Sequence, residues 1–218
     1  MNYELLENNK VTLSGMVASL PEYSHEVYGE EFFTLYLAVE RLSDHQDIIP
    51  ITVSDRILKE NNFEIGSKIC LKGQFRSYNK IENEKSKLML TVFVREVVAP
   101  EEIDVTNEIV LTGYVCKSPI YRTTPFKREI CDILIAVNRA YNKSDYLPCI
   151  AWGRNARFAK ALKVGANVTI TGRIQSRDYQ KKLDDNQIVT KTAYEISISQ
   201  ISNATSSTPV DIEQYYKA

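Results

Sequence analysis

The chain has 218 residues, of which 44% are hydrophobic and 25% charged, and its formal net charge is −1. This length and composition are typical of a globular protein with one large domain or two ordinary ones. Apolar runs such as Ile133–Val137 are far shorter than the roughly 20 residues needed to cross a bilayer, which excludes a membrane-spanning helix. The acidic start of the chain, Met1–Glu7, does not resemble a signal sequence, so we expect a cytoplasmic protein.

Charge is divided unevenly along the chain. Residues 1–104 hold 11 Lys or Arg against 18 Asp or Glu, whereas residues 105–218 hold 16 against 10. The two halves are therefore expected to differ in role, and the basic half is the one suited to a polyanion.

An internal repeat explains this division. Two segments recur at an offset of 98 residues: Val11–Gly15 as Ile109–Gly113, and Asp47–Pro50 as Asp145–Pro148. After one inserted residue, Gly73–Phe75 matches Gly172–Ile174 at an offset of 99. A repeat of this length indicates a duplicated domain, because solenoid units have roughly 20–50 residues.

Each copy has the same order of predicted elements. A strand containing Gly is followed by an alternating strand, a third strand, a short helix, a Gly-bounded strand and a final strand. In the second copy we place the helix at Asn155–Lys163, with Phe158 and Leu162 sharing the face that plugs the barrel end. This order is that of the OB-fold. We therefore predict an all-β chain with one short helix per domain, built as two tandem five-stranded Greek-key barrels.

The predicted boundaries follow from the repeat. A diverged acidic OB-fold domain covers residues 1–98, a linker covers 99–107, and a basic OB-fold domain covers 108–201. Residues 202–218 are predicted to form a flexible tail.

Three stretches of the second copy carry a specific likeness: Ile135–Arg139, Asp145–Gly153 and Gly172–Tyr179. In this order and spacing they resemble the bacterial single-stranded-DNA-binding protein family. The first copy retains only part of this pattern, since Ser54 stands where the second copy has Trp152. The resemblance implies sequence-independent binding and protection of single-stranded DNA during replication, repair or recombination, and partners among replication or recombination proteins. Because the family assembles four barrels, it also implies a homodimer.

Binding of unpaired strands needs flat side chains for the bases and a cationic groove for the backbone. By resemblance, Tyr146, Trp152 and Tyr179 are base-stacking residues, and the basic loop adds Tyr121 and Phe126 as candidates. The alternative is a core position for Trp152 and a merely half-exposed surface position for Tyr146 and Tyr179. For Tyr121 and Phe126 the alternative is that the rings fold back over a barrel end. The predicted backbone contacts are Arg122, Lys127, Arg128, Arg139, Lys143, Arg154, Arg173, Arg177, Lys181 and Lys182. Their first-copy counterparts, disfavoured as DNA contacts by the acidity of that copy, are Phe33, Tyr36, Arg41, Arg76, Tyr78 and Lys80.

Two other functions were weighed. An OB-fold protein-interaction or primosome-type accessory module with weak nucleic-acid binding is favoured by the acidic first copy and opposed by the aromatic residues of the second. A nuclease would need clustered carboxylates, and the acidic pair of the basic copy, Asp184–Asp185, is typical of a solvated hairpin tip. The four cysteines are scattered without a Cys-x-x-Cys pair, so we expect no metal site. The second copy has no histidine, and the sequence shows neither a Ser/His/Asp set nor a phosphate-cradling Gly loop, so we expect no cofactor and no enzyme.

Overall fold

The computed structural model describes residues 7–41, 43, 45–82, 85–102, 104–140, 143–182 and 188–204. The side chains of residues 81, 82, 85, 181 and 182 are not among the described ones. Most of the predicted tail, from residue 205 onward, and the Asp184–Asp185 pair lie outside the described residues.

The first barrel is built from the first half of the chain. Its strands are β1 (Asn9–Val17), β2 (Glu22–Val27), β3 (Glu30–Glu40), β4 (Gln46–Ser54), β5 (Lys68–Glu82) and β6 (Lys85–Val97). Helix α1 (Asp55–Glu60) follows β4 and is capped by the Ser54 side chain. The pairing order β1-β3-β4-β6-β5 closes back on β1, and only the contact between β4 and β6 is parallel.

The second barrel repeats this plan after a 3-10 turn at Pro100–Glu102. Its strands are β7 (Asn107–Val115), β8 (Ile120–Thr123), β9 (Glu129–Arg139), β10 (Lys143–Trp152), β11 (Asn167–Lys182) and β12 (Ile188–Asn203), with helix α2 (Gly153–Lys160) after β10. Closed five-stranded barrels in this order are OB-folds, so the predicted fold class is confirmed.

Alternating apolar residues build both cores. Leu35 and Leu37 on β3, and Ile135 and Val137 on β9, have no exposed surface, while their neighbours along each strand are less buried. This period of two places one face of each strand inside the barrel and the other on its outer surface.

Two details differ from the predictions. The sequence did not predict β2 and β8, which pair in antiparallel register with β3 and β9. Their residues are almost all exposed, so no alternation of apolar residues indicates a strand there. The second helix ends at Lys160 rather than Lys163, and the proposed plug was wrong in part. Ala156 and Ala159 are its buried residues, whereas Phe158 is 36% exposed and only Leu162, beyond the helix, packs partly against the core.

The two barrels join through one continuous sheet. Strand β1 pairs with β7 in antiparallel register, and Val11 lies opposite Ile109. Since these two residues are equivalent in the 98-residue repeat, the pairing has an internal two-fold axis that passes between them. On either side of the axis, Asn9 exchanges two hydrogen bonds with the backbone of Phe75, and Asn107 does the same with Ile174.

Two buried carboxylates cross the same junction symmetrically. Asp47 of the first barrel accepts a hydrogen bond from the backbone N–H of Ser176 in the second, at 2.7 Å. Asp145 of the second barrel accepts one from the backbone N–H of Ser77 in the first, also at 2.7 Å. Both aspartates are fully buried, so each holds its position by bonds that reach into the other barrel. We call this junction the seam.

Replacing Asp47 tests the seam. The Asp47→Ala variant leaves a buried N–H and two arginines without their carboxylate, so the free energy of unfolding is expected to fall by about 3–5 kcal/mol. Urea unfolding followed by circular dichroism measures this loss. Glu60→Ala removes an exposed helical ion pair with Arg56 and should cost less than about 1 kcal/mol. Equal losses in the two variants would contradict a structural role for Asp47.

Candidate nucleic-acid interface

Trp152 lies on the outer face of the second barrel. It is the last residue of β10, pairs with Ile130 of β9, and its neighbours Ile150 and Ala151 are buried. The indole itself is 40% exposed. Trp152 is therefore not a core residue, and its flat ring is accessible to a ligand.

A groove of about 860 Å³ passes beside this ring and crosses the seam. Besides Trp152, its lining includes Tyr36, Arg41 and Ile48 from the first barrel and Arg173, Arg177 and Tyr194 from the second. We call it the Trp152 groove. Its mixed lining of rings and guanidinium groups suits unpaired bases and their phosphates.

The cationic side chains of the Trp152 groove are largely paired with carboxylates. Asp47 binds Arg41 at 2.5 Å and Arg173 at 3.3 Å, so one buried carboxylate holds two guanidinium groups. Arg177 lies 3.7 Å from Glu195. Because these pairs offset most of the local charge, the rings, rather than an excess of positive charge, distinguish this groove.

Tyr146 and Tyr179, the two tyrosines that the resemblance implies as stacking residues beside Trp152, are also exposed. Tyr146 is 47% exposed and shares the outer face of β10 with Trp152. Its backbone N–H donates to the Ser77 hydroxyl at 2.8 Å, which places it against the first barrel. Ile48, its equivalent in the first copy, lines the Trp152 groove. Because the two-fold axis relates these two positions, Tyr146 lies on the opposite side of the seam from that groove. Tyr179, 39% exposed, stands on β11 opposite Lys191.

The two rings of the basic loop differ from one another. Tyr121 is half-buried, its hydroxyl donates to Glu129 at 2.5 Å, and the Lys160 ammonium lies 4.5 Å from the ring centroid. Phe126 is 86% exposed at the turn between β8 and β9. Phe126 is thus open to a base, whereas Tyr121 already has a cation on its ring.

The predicted backbone contacts fall into two groups. Ion pairs with carboxylates engage Arg122, Arg139, Arg173 and Arg177. Within the described part of the chain, no carboxylate pairs with Lys127, Arg128, Lys143 or Arg154, all of which are exposed. The side chains of Lys181 and Lys182 lie outside the described ones. The roles of all ten remain predictions.

Sequence reasoning missed Tyr194 and undervalued Tyr36. Both line the Trp152 groove, and burial together with the charges of Tyr36 and Asp178 raises the pKa of Tyr194 to about 12. Tyr36 belongs to the acidic copy, where counting charges pointed away from a binding role. Only the position of β3 across the seam brings it beside the second barrel.

Among the residues that the structure describes, no three His, Cys, Asp or Glu side chains are grouped so as to hold a metal ion. None of the described helices has the length and apolar character to cross a bilayer.

Comparison with known proteins identifies the family. Residues 106–203 match the model of the single-strand binding protein family. The chain is 34% identical over 96 residues to single-stranded DNA-binding protein 3 of Streptococcus agalactiae, covering 41% of this chain and 70% of that protein. The chain belongs to the single-strand binding protein family. The family resemblance predicted from the second copy is thereby confirmed.

Two further relatives match the chain over similar lengths. Single-stranded DNA-binding protein 1 of Lactococcus lactis is 34% identical over 92 residues, covering 39% of this chain and 61% of that protein. Single-stranded DNA-binding protein A of Bacillus subtilis is 31% identical over 96 residues, covering 41% and 56%. The chain thus spans less than two thirds of the length of these two relatives.

One solved structure is similar over nearly the whole chain. The wild-type single-stranded DNA binding protein from Thermus aquaticus superposes with a TM-score of 0.72 at 18% identity, covering 92% of this chain and 94% of that one. A deletion mutant of the same protein gives a TM-score of 0.68 and 93% coverage of this chain. At this identity the likeness concerns the fold, and it includes both barrels.

The raised pKa of Tyr194 predicts how stability depends on pH. Because the folded state favours the neutral phenol and an unfolded tyrosine ionises near pH 10, this contribution is complete below about pH 10 and is lost as the pH rises toward 12. Tyr194→Phe should therefore lose less stability than the parent between pH 10 and 12 in urea unfolding.

Tyr28→Phe, at a fully exposed position, is the matched control and should follow the parent. If Tyr194→Phe also follows the parent, the phenol is not held in its neutral form.

Proposed function

We propose that this chain binds and protects single-stranded DNA without sequence preference during replication, repair or recombination. The observation that carries the proposal is the exposed Trp152 in a groove lined by rings and guanidinium groups. Base stacking on such rings tolerates every sequence, because each base has an aromatic face. The names of the curated relatives, all single-stranded DNA-binding proteins, support the same ligand.

Stacking residues and backbone contacts would have separate roles. Trp152, Tyr146, Tyr179 and Phe126 offer exposed rings, and each stacked base contributes about 1–3 kcal/mol. Exposed cations such as Lys127 at the loop and Arg154 beside Trp152 would neutralise phosphates. The proposal includes no catalytic step, and we place the activity in the cytoplasm with replication or recombination proteins as partners.

The accessory-module alternative is not favoured. It rested on the acidity of the first copy, yet that copy contributes Tyr36 and Ile48 to the groove that contains Trp152. An interaction module with weak nucleic-acid binding would not need a ring exposed at this position. We keep the domain limits predicted from the internal repeat, which are two barrels at residues 1–98 and 108–201 joined by a linker.

Intrinsic fluorescence tests stacking directly, because the chain has one tryptophan. Oligo-dT is expected to quench Trp152 emission. Trp152→Ala should weaken binding of a dye-labelled oligo-dT by about 1–3 kcal/mol, which is about 5- to 150-fold in Kd. The control Phe158→Ala removes a ring of similar exposure outside the groove and should bind as the parent does. Emission that oligo-dT leaves unchanged would sink the proposal.

We also propose that two chains associate, giving four barrels. The outward face of the seam strands carries exposed apolar side chains at Met16, Val110 and Tyr114, near the internal two-fold axis. A two-fold dimer through this face would bury each of them against a copy of the same surface. None of these three side chains lines the Trp152 groove.

Light scattering on a sizing column measures the association. The parent is expected to have twice the mass of one chain, and Val110→Asp to shift it to one chain, because the charge would be buried in the interface. Ile65→Asp, at an exposed apolar position in a loop, should stay a dimer. A parent protein with the mass of one chain at micromolar concentration would rule the dimer out.

A further inference from the structure

Two arginines on the outer face of the first barrel have no carboxylate partner. Arg76 on β5 and Arg95 on β6 both donate to the Gln74 side chain, at 2.9 and 3.2 Å. Among the described residues, neither forms an ion pair with Asp or Glu. Their guanidinium carbons lie 3.9 and 5.5 Å from the centroid of the Phe93 ring. The ring therefore supports both cations without neutralising them.

This arrangement arises from an exchange of residues between the copies. Where the second barrel has Arg173 and Gln175, the first has Gln74 and Arg76. Arg173 binds the buried Asp47, but a glutamine in its place cannot neutralise Asp145. Among the described residues, Arg139 is the one cation paired with Asp145, at 3.2 Å to Oδ1, which also accepts from Ser77. The other carboxylate oxygen, Oδ2, is buried and has no hydrogen-bond partner in the described part of the chain.

Arg76 thus lies near two further arginines, Arg95 and Arg139, and near the carboxylate of Asp145. Burial, followed by the positive charges of Arg95 and Arg139, lowers the pKa of Arg76 to about 10. Arg76 still carries its charge at neutral pH. We call Arg76, Arg95 and Arg139 the arginine seam; it lies across the two-fold axis from the Trp152 groove, where the arginines are paired.

The two copies also differ in where their aromatic residues stand. The first barrel has Ser54 at the position of Trp152, but it has Phe32 and Phe93 on the two flanking strands, where the second barrel has Ile130 and Ser197. The two phenyl centroids are 5.6 Å apart. Phe32 is buried and offers no open ring, whereas the half-buried Phe93 contacts both arginines through its ring.

Exposed rings flank the arginine seam on both barrels. Tyr78, 44% exposed, lies two residues beyond Arg76 on the same face of β5, and Tyr146 stands across the seam beside Ser77. Flat guanidinium groups and phenol rings are both surfaces on which bases stack. The region therefore combines unneutralised charge with stacking surfaces.

We propose that the arginine seam binds the phosphodiester backbone of single-stranded nucleic acid, with Tyr78 and Tyr146 holding adjacent bases. This site rests on the proposed function and extends it to the first barrel, which lies in the acidic half of the chain, residues 1–104 with a net charge of −7. A strand bound there contacts both barrels at once. It lies on the side of the seam opposite Trp152, so the lone tryptophan does not report on it.

The salt dependence of binding tests the site. Anisotropy of labelled oligo-dT of about 40 nucleotides, long enough to pass over several barrels at about 4–16 nucleotides each, gives Kd at increasing salt. The log–log slope should become shallower by about 1.4 in Arg76→Gln/Arg95→Gln, at about 0.7 per lost phosphate contact. Arg95→Gln alone, at an exposed position, should give about half of this change and remain folded.

Arg56→Gln/Lys59→Gln is the matched control, because it removes two cations from the same barrel at exposed positions on α1. Its slope should equal the parent's. Quenching of Trp152 by a short oligo-dT should be the same in all variants. An unchanged slope in Arg95→Gln and in the double variant overturns the arginine seam, whereas absent quenching in the parent overturns the proposed function itself.

Discussion

The pairing of β1 with β7 is the contact on which the rest of the structure depends. Val11 meets its own repeat equivalent, Ile109, so the two barrels are related by a two-fold axis inside one chain. The symmetry is maintained away from the axis by Asp47 and Asp145, each bonded to the backbone of the other barrel. Because these bonds are buried and reciprocal, the outer faces of the two barrels have a defined relation to one another.

A symmetric junction between unequal copies gives two unequal sides. On one side Asp47 holds two arginines, and the Trp152 groove beside it has nearly balanced charge. On the other side, Asp145 pairs with one arginine among the described residues, Arg139. The duplicated chain has thus separated two properties that single-strand binding needs, a prominent ring on one side and unneutralised cations on the other. A homodimer of identical barrels has no such freedom, because a substitution there changes both sides together.

Much of the fold could be predicted from the sequence because the repeat and the apolar alternation are local patterns. The offset of 98 residues predicted two barrels, and the motif ending in Trp152 predicted the family and an exposed ring. The seam could not be predicted, since it depends on a contact between strands about a hundred residues apart. Asp47 and Asp145 were matched as repeat equivalents, but nothing local indicates that each side chain reaches into the other barrel.

Charge counting cannot locate unpaired cations, for a related reason. The excess of Lys and Arg in the second half of the chain pointed to that half alone, yet several of its arginines are neutralised by carboxylates, including one from the acidic half. Conversely, the acidic half contains Arg76 and Arg95, which no described carboxylate pairs. A polyanion responds to charge that is unpaired and accessible at the surface, not to the sum over a domain. The location of ion pairs, which only the folded chain defines, therefore determines where a nucleic-acid backbone can lie.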